Sequence, residues 1–146
     1  MKNRNQLLGE SIVNLSICYQ HLSARINAQL AGLHLNMTQL SILNYFSWRG
    51  EHSETISSLA RVMEMNQPAV TKAVKALVDK NALSKVADDN DARVTHLFMT
   101  PAGFKLLDQA RQITFPLLVH NFAGLEDDEL VLMNSMLEKI KGQLNL

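Results

Sequence analysis

The chain has 146 residues, a length that suits one domain with its own hydrophobic core. Hydrophobic residues make up 47% of it, which excludes an intrinsically disordered chain, and no apolar run is long enough to cross a membrane. The formal net charge is zero, which argues against a protein that binds polyanions over its whole surface but leaves room for a local basic patch.

A long amphipathic helix is predicted at the start of the chain. Its apolar residues recur every three or four positions over about 25 residues, so it is longer than the average globular helix and needs a partner along its length. Gly32 and His34 mark its end. The apolar stripe consists of Leu8, Ile12, Leu15, Tyr19, Leu22, Ile26, Leu30 and Leu33.

A second helix is predicted over residues 39–48, with Thr38 as its N-cap and Gly50 after its end. Two further helices follow, joined by a short turn. Thr55 suits the N-cap of the first, while Asn66 suits the N-cap of the second and Pro68 its first turn. This spacing indicates a helix-turn-helix. The inward residues expected of the three helices are Leu40, Leu43, Phe46, Ile56, Leu59, Ala60, Met63, Val70, Val74, Leu77 and Val78.

The period changes after Asn81, which tolerates the left-handed cap conformation. The segments "LSKVA" and "VTHLFM" predict two short strands that flank the Asp-rich stretch "DDNDAR". A hairpin attached directly to the helix-turn-helix is a wing. Residues two apart in an extended hairpin share a face, so we expect Asp91 to contact Arg93 and to hold its guanidinium as a fork.

Two helices complete the chain. Thr100 and Pro101 predict the start of a fifth helix, and Pro116 is expected to kink or break it. Four acidic residues at positions 126–129 then precede a sixth helix, where a helix N-terminus favours negative charge.

The segment "TISSLARVMEMNQPAVTKAVKALVDKNAL", the Asp91-x-Arg93 tip and "MTPAG" resemble the MarR family, the multiple-antibiotic-resistance type of winged helix-turn-helix transcription regulators. The resemblance covers nearly the whole chain. Two departures are the pair Asn81-Ala82, where the family often has glycine, and Pro116 in the fifth helix. The resemblance implies a mainly α fold with a small β-wing. In this single domain, residues 1–34 and 101–146 form dimerisation helices and residues 37–100 form the winged helix-turn-helix DNA-binding lobe.

The resemblance also implies a ligand-responsive homodimeric repressor that binds pseudo-palindromic double-stranded DNA. Residues at the start of the recognition helix face base edges in the major groove, whereas lysines further along meet phosphates. A narrow minor groove attracts an inserted arginine. The DNA-binding residues expected on this basis are Ser57, Gln67, Pro68, Ala69, Thr71, Lys72, Lys75, Asp91 and Arg93, with Ser58 as a further phosphate donor. The alternatives are a solvated basic face and a plain surface ion pair.

A twofold dimer would cover apolar stripes that one short chain leaves open, although part of each stripe packs within the chain. The expected interface residues are Leu8, Ile12, Leu15, Leu117, Leu130, Met133, Leu137, Ile140 and Leu144. The resemblance further implies a cleft for a small aromatic or amphipathic effector, for which His21, Arg25, Tyr45 and Trp48 are candidates, with plain packing as the alternative. Cys18 is expected to be a small buried hydrophobe.

Other functional classes have less support. The five histidines are scattered, and no metal-ligand spacing, phosphate loop or nucleophile motif is present, so we expect neither an enzyme nor a cofactor or metal site. A single cysteine and the lack of an export signal favour a cytoplasmic protein without membrane attachment. The remaining alternative is a dimeric winged-helix protein-interaction module that has lost DNA binding. It is disfavoured because the basic helix face and the wing arginine are both present.

Overall fold

Residues 1–144, which the computed structural model describes, form six α-helices and one antiparallel pair of strands. A single 3₁₀ turn at 31–33 follows the first helix. This order confirms the predicted mainly α fold with a small wing. None of these helices combines the length and the apolar character that a membrane span requires. The elements are α1 (Arg4–Leu30), α2 (Met37–Arg49), α3 (Ile56–Val62), α4 (Gln67–Asp79), β1 (Leu83–Ala87), β2 (Thr95–Met99), α5 (Pro101–Asn121) and α6 (Asp127–Leu144).

Side-chain caps begin the first four helices. The predicted caps Thr55 and Asn66 are confirmed, since each accepts a hydrogen bond from a backbone N–H of its helix. The prediction of Thr38 as a cap is wrong. Asn36 caps α2 instead, because its Oδ1 accepts from Gln39 N at 2.9 Å while Gln39 Oε1 accepts from Asn36 N at 3.3 Å. Such a reciprocal capping box satisfies two N–H groups, which a single threonine hydroxyl does not.

The apolar core lies within residues 1–114 and fixes α4 against its neighbours. Full burial of one Leu or Phe side chain contributes about 1.5–3 kcal/mol, so a few such residues are enough to hold a helix in place. The predicted inward positions of α2 and α4 are confirmed. Side chains that are almost fully buried include Phe46, Ile42 and Leu43 of α2, Leu59 of α3, Val70, Val74 and Leu77 of α4, Leu97 of β2 and Leu107 of α5.

The hairpin pairs Leu83 with Met99 at its base and Ala87 with Thr95 near its tip. A third extended segment joins it through Glu54, whose N–H donates to Leu97 O at 3.1 Å and whose carbonyl accepts from Leu97 N at 2.7 Å. The wing is therefore tied by its second strand to the segment that leads into α3.

The junction of α4, the wing and α5 depends on close backbone approach. Asn81 stands where the family often has glycine, and its φ of 59° is the left-handed conformation that asparagine tolerates better than most residues. Thr100 Oγ1 donates to Asn81 O at 2.5 Å and accepts from Gly103 N at 2.9 Å, which confirms Thr100 as the start of α5. A Cβ at Gly103 would lie 2.2 Å from Ala82 O, so this position excludes any side chain.

The helix α5 continues through Pro116 to Asn121, so of the predicted kink or break the break does not occur. A proline removes one N–H from the helix, here the donor to Gln112 O, but the turns on either side keep their hydrogen bonds. The chain divides into two compact units, Met1–Thr114 and Phe115–Leu146, and the second unit begins one residue before this proline.

Within the second unit, α6 begins behind the acidic residues as expected, and Glu126 N donates to Glu129 Oε2 at 2.9 Å. None of the described residues from 115 to 144 is buried.

Candidate nucleic-acid interface

The outer face of α4 carries the predicted recognition residues. Asn66 Oδ1 accepts from Ala69 N at 2.8 Å and starts the helix, while the turn before it passes through Glu64 at a φ of 54°. Because Val70, Ala73, Val74 and Leu77 point into the core, the opposite side of the helix faces solvent. The residues exposed there are Gln67, Pro68, Thr71, Lys72 and Lys75, with Ala69 half-buried beside them.

The two lysines of this face have no acidic partner. Within the described part of the chain, neither Lys72 Nζ nor Lys75 Nζ lies within 4 Å of a carboxylate oxygen. Their ammonium groups therefore need not give up an ion pair in order to meet an anion. The outer face of α4 is a local basic patch on a chain whose formal charge is zero.

The two serines of α3 differ in what they offer. Ser57 is exposed, and its Oγ accepts from Gln67 Nε2 at 3.3 Å, which links the two helices at their outer side. Ser58 closes the capping box of α3 with Thr55 and also donates to the carboxylate of Glu54. The expectation that Ser58 offers a free phosphate donor is therefore wrong.

At the wing tip, Asp91 holds Arg93 through both carboxylate oxygens. Arg93 Nε donates to Asp91 Oδ1 and Nη2 donates to Oδ2, each at 3.1 Å, so the predicted fork is confirmed. The cause differs from the prediction, because the two residues lie in a turn between the strands. Arg93 N donates to Asp91 Oδ1 at 3.0 Å, so a side-chain-to-backbone turn brings them together. The Arg93 side chain is 90% exposed and projects from the tip.

Asp88 has a structural position that the sequence analysis did not identify. Its Oδ2 accepts from the N–H groups of Asn90 and Asp91, each at 3.0 Å, and its Oδ1 lies 2.8 Å from His96 Nε2. The spacing of Asp88 before Asn90 and Asp91 is itself a turn signal that could have revealed this role.

Both wing carboxyls have shifted acidity. The hydrogen bond with His96, followed by those from the Asn90 and Asp91 amides, lowers the pKa of Asp88. The side-chain hydrogen bond from Arg93, followed by that from its backbone amide, lowers the pKa of Asp91. Each hydrogen bond favours the charged form of the carboxylate that accepts it.

The four predicted effector residues differ in their exposure. His21, Arg25 and Trp48 are exposed, whereas Tyr45 is half-buried and donates from its hydroxyl to Glu54 Oε1 at 2.6 Å. None of the four lines the cavity of about 470 Å³ that lies between α1, α2 and the turn after α3. Its lining consists of Tyr19, Ser23, Asn27, Asn36, Met37, Thr38, Ser41, Met63 and Met65.

The predicted interface residues are mostly accessible within one chain. Cys18 is exposed as well, so its expected burial is wrong in the chain by itself. Leu8, Ile12 and Leu15 of α1 are 55%, 62% and 40% exposed. On the later helices, Leu137, Ile140 and Leu144 are exposed and Leu117, Leu130 and Met133 are half-buried.

Comparison with known proteins gives a consistent result. The model of the MarR family matches residues 35–95. The transcriptional regulator AdcR of Streptococcus pneumoniae is 36% identical over 112 residues, which cover 77% of this chain and 68% of that protein. The uncharacterized HTH-type transcriptional regulator YpoP of Bacillus subtilis is 22% identical over 140 residues, which cover 96% of this chain and 97% of that protein.

Solved structures show the same fold. BldR of Sulfolobus solfataricus superposes with a TM-score of 0.83 at 23% identity, covering 97% of this chain and 99% of that one. A mutant of MarR from Escherichia coli, complexed with operator DNA, gives a TM-score of 0.77 at 20% identity, covering 96% of this chain and 99% of that one. The winged-helix architecture is thus shared over nearly the full described length.

Proposed function

Because the chain belongs to the MarR family of transcriptional regulators, we propose that it binds a specific double-stranded DNA site as a homodimer and represses transcription until a small ligand releases it. The observation that carries the DNA-binding part is the geometry of two neighbouring features. Among the residues that the structure describes, Lys72 and Lys75 on the outer face of α4 have no ion pair, and Arg93 is held as a fork at the tip of the wing. The first strand of that wing is joined to α4 by only three residues, 80–82.

The outer face of α4 suits the major groove. Gln67 and Thr71 are exposed near the helix start, where recognition helices contact base edges, and a glutamine can bond an adenine edge in bidentate fashion. Lys72 and Lys75 follow on the same side and suit phosphates, which adds affinity without sequence information. The hydroxyl of Ser57, which accepts a hydrogen bond from Gln67, can donate to a phosphate of the same DNA strand region.

Arg93 suits the minor groove beside it. Its guanidinium is exposed yet already directed by Asp91, so binding freezes fewer rotamers than a free arginine would lose. An inserted arginine gains most where an A/T-rich sequence narrows the groove and strengthens the negative potential.

The proposal of a homodimer is supported by the exposed apolar stripe of α1. A twofold axis would pair two wings and two copies of α4, with half-sites about 34–36 Å apart, and would explain a pseudo-palindromic operator.

Fluorescence anisotropy with the DNA upstream of the chain's own gene tests this function. We expect Lys72→Ala and Arg93→Ala each to weaken binding and to lower the slope of log affinity against log salt by about one per subunit. Lys105→Ala removes the same charge as Lys72→Ala from an exposed position on α5 and serves as the control. If Arg93→Ala leaves both affinity and salt slope unchanged, the minor-groove role is wrong.

The same titration addresses the alternative function. A folded dimer that binds neither the upstream DNA nor random duplexes would favour a winged-helix protein-interaction module. Repression itself is tested with a reporter promoter that carries the bound site, where loss of the protein should raise expression.

The ligand part of the proposal rests on the cavity between α1, α2 and the turn after α3. Its lining is uncharged, with hydroxyl, amide and thioether groups, which suits a small aromatic or amphipathic molecule. Met63 and Met65 lie in the turn that leads to the Asn66 cap, so a ligand there would contact the turn immediately before the recognition helix.

A thermal-shift screen of small aromatic and amphipathic compounds tests the ligand site. A compound that stabilises the wild type should fail with Ser23→Phe, which fills the cavity, and should still act on Ala28→Phe, which places the same group at an exposed position of α1. Equal shifts in both variants would place the ligand elsewhere.

A further inference from the structure

We propose that His96 and Asp88 are positioning residues for the DNA contact of the wing, forming a brace through which the β-sheet holds Arg93 in its DNA-ready direction. The inference rests on the proposed function, because it concerns how the wing arginine is presented. Neither residue needs to touch DNA in order to act.

The first step is the anchoring of His96. It lies in β2, opposite Val86 in the ladder, and its ring nitrogens face two different segments. Nε2 is 2.8 Å from Asp88 Oδ1, and Nδ1 is 3.5 Å from Ser53 Oγ. In the tautomer that carries the proton on Nε2, the ring donates to Asp88 and can accept from Ser53. Ser53 precedes Glu54, which is bridged to β2, so the imidazole is held at both ends.

The second step is the hold of Asp88 on the loop. Its Oδ1 is engaged by His96, and its Oδ2 accepts from the amides of Asn90 and Asp91. Its own N–H donates to Val94 O at 2.9 Å, which closes the loop across the tip. The Asp88 and His96 side chains are only 28% and 32% exposed, so water competes less for these bonds than at the tip.

The third step is the transfer of this order to Arg93. Within residues 1–144, the side-chain hydrogen bonds of Arg93 go to Asp91 alone. The direction of the guanidinium therefore depends on the backbone of Asp91, and Asp88 fixes that backbone through its amide. A continuous series of hydrogen bonds therefore runs from the His96 imidazole through the Asp88 carboxylate to the Asp91 amide, and from the Asp91 carboxylate to the Arg93 guanidinium.

The test compares operator affinity in a double-mutant cycle at one fixed pH. His96→Leu removes the brace, and we expect about a threefold to tenfold loss of affinity, the scale of one side chain losing its pre-ordering. In an Arg93→Ala background the same substitution should cause no further loss. His96→Gln keeps an N–H donor near Nε2 and should restore much of the affinity, and His52→Leu is the matched control at an exposed histidine outside the brace.

Amide exchange gives a second readout that does not depend on DNA. Exchange of the Asn90 and Asp91 amides in the free protein should speed up in His96→Leu, or in His96→Ala if His96→Leu fails to fold. It should stay closer to the wild-type rate in His96→Gln, which keeps the donor.

The outcomes separate the brace from the proposed function. Equal losses in both Arg93 backgrounds, or no loss with His96→Leu while Arg93→Ala weakens binding, overturn the brace alone. A folded wild type that binds no DNA overturns the proposed function. Unchanged amide exchange in the variant that lacks the imidazole donor overturns the brace independently of DNA.

Discussion

At the scale of single residues, Glu54 is the least expected feature. Glu54 is only 8% exposed. The hydroxyls of Tyr45 and Ser58 each donate a hydrogen bond to one of its carboxylate oxygens. Burial, then the hydrogen bond to Glu54 and the charge of Glu54, raise the pKa of Tyr45, while Arg49 opposes the shift. A buried carboxylate is tolerated only when such partners satisfy it. Tyr45 thus has a structural task within this fold.

Tyr45→Phe should lower the free energy of unfolding by about 1–3 kcal/mol, because it leaves Glu54 Oε1 buried without its donor. Urea denaturation of the purified protein measures this. Tyr19→Phe makes the same chemical change at an exposed tyrosine and should have little effect. Identical midpoints for both variants would show that Glu54 is satisfied in another way.

Asp88 and Asp91 predict how the wing responds to acid. In the folded chain both carboxyls have a pKa lowered from the ordinary 3.8. Their contribution to the stability of the folded wing is therefore complete above that value and is lost as the pH falls through the lowered pKa values. We expect the amides of Asn90 and Arg93, which these carboxylates accept from, to lose protection first as the pH drops below 3.8.

The measurement is amide exchange by NMR, with Leu97 N, which donates to Glu54 O, as the internal control. Simultaneous loss of protection at all three amides would mean that acid unfolds the chain globally and that the wing has no acid response of its own.

At the scale of elements, the sequence predicts what is locally determined. Helix periods, the caps Thr55 and Asn66 and the start of α5 follow from neighbours in the chain, so they were predicted correctly. Asn36 rather than Thr38 caps α2 because Gln39 supplies the reciprocal hydrogen bond, and the Asn-x-x-Gln spacing carries this signal in the sequence. The Glu54 cluster and the bond from His96 to Asp88 join distant or turn-related residues, which periodicity does not report. The Arg93 fork was predicted, but its cause is a turn rather than a strand.

Gly103 gives a prediction for the junction between the wing and α5. Gly103→Ala places a Cβ 2.2 Å from Ala82 O, so the backbone must move. The free energy of unfolding should therefore fall by about 1–3 kcal/mol. Gly9→Ala is the matched control, since nothing lies within 4 Å of its Cβ and alanine favours a helix. Thermal melts of both variants measure the difference, and a Gly103→Ala protein as stable as Gly9→Ala would contradict the close approach.

At the scale of the whole molecule, the first half of α1 is unusual for a single chain. Every residue from 1 to 20 is exposed, including the large apolar side chains of Leu7, Leu8, Ile12, Val13, Leu15, Ile17 and Tyr19. Contiguous exposed apolar surface of this extent marks an interaction site. The apolar residues of α6, described in its own unit, are exposed or half-buried as well.

Ile12→Asp should therefore weaken self-association, because Ile12 is 62% exposed and central to the α1 stripe. Sedimentation at micromolar concentration should show a dimer for the wild type and a shift toward monomer for the variant, with a melting temperature that depends on protein concentration. Asn14→Asp adds the same charge on another face of α1 and is the control. A wild type that sediments as a stable monomer would remove the dimer from the proposed function.

The composition of the wing tip has a kinetic consequence. Residues 88–93 hold three aspartates and one arginine, so at long range this loop repels DNA, while Lys72 and Lys75 on α4 attract it. The wing should then contribute little to the rate of encounter. Once the protein has docked, Arg93 acts at short range, and its loss should shorten the lifetime of the complex. Stopped-flow measurement should find the effect of Lys72→Ala mainly in the association rate and that of Arg93→Ala mainly in the dissociation rate.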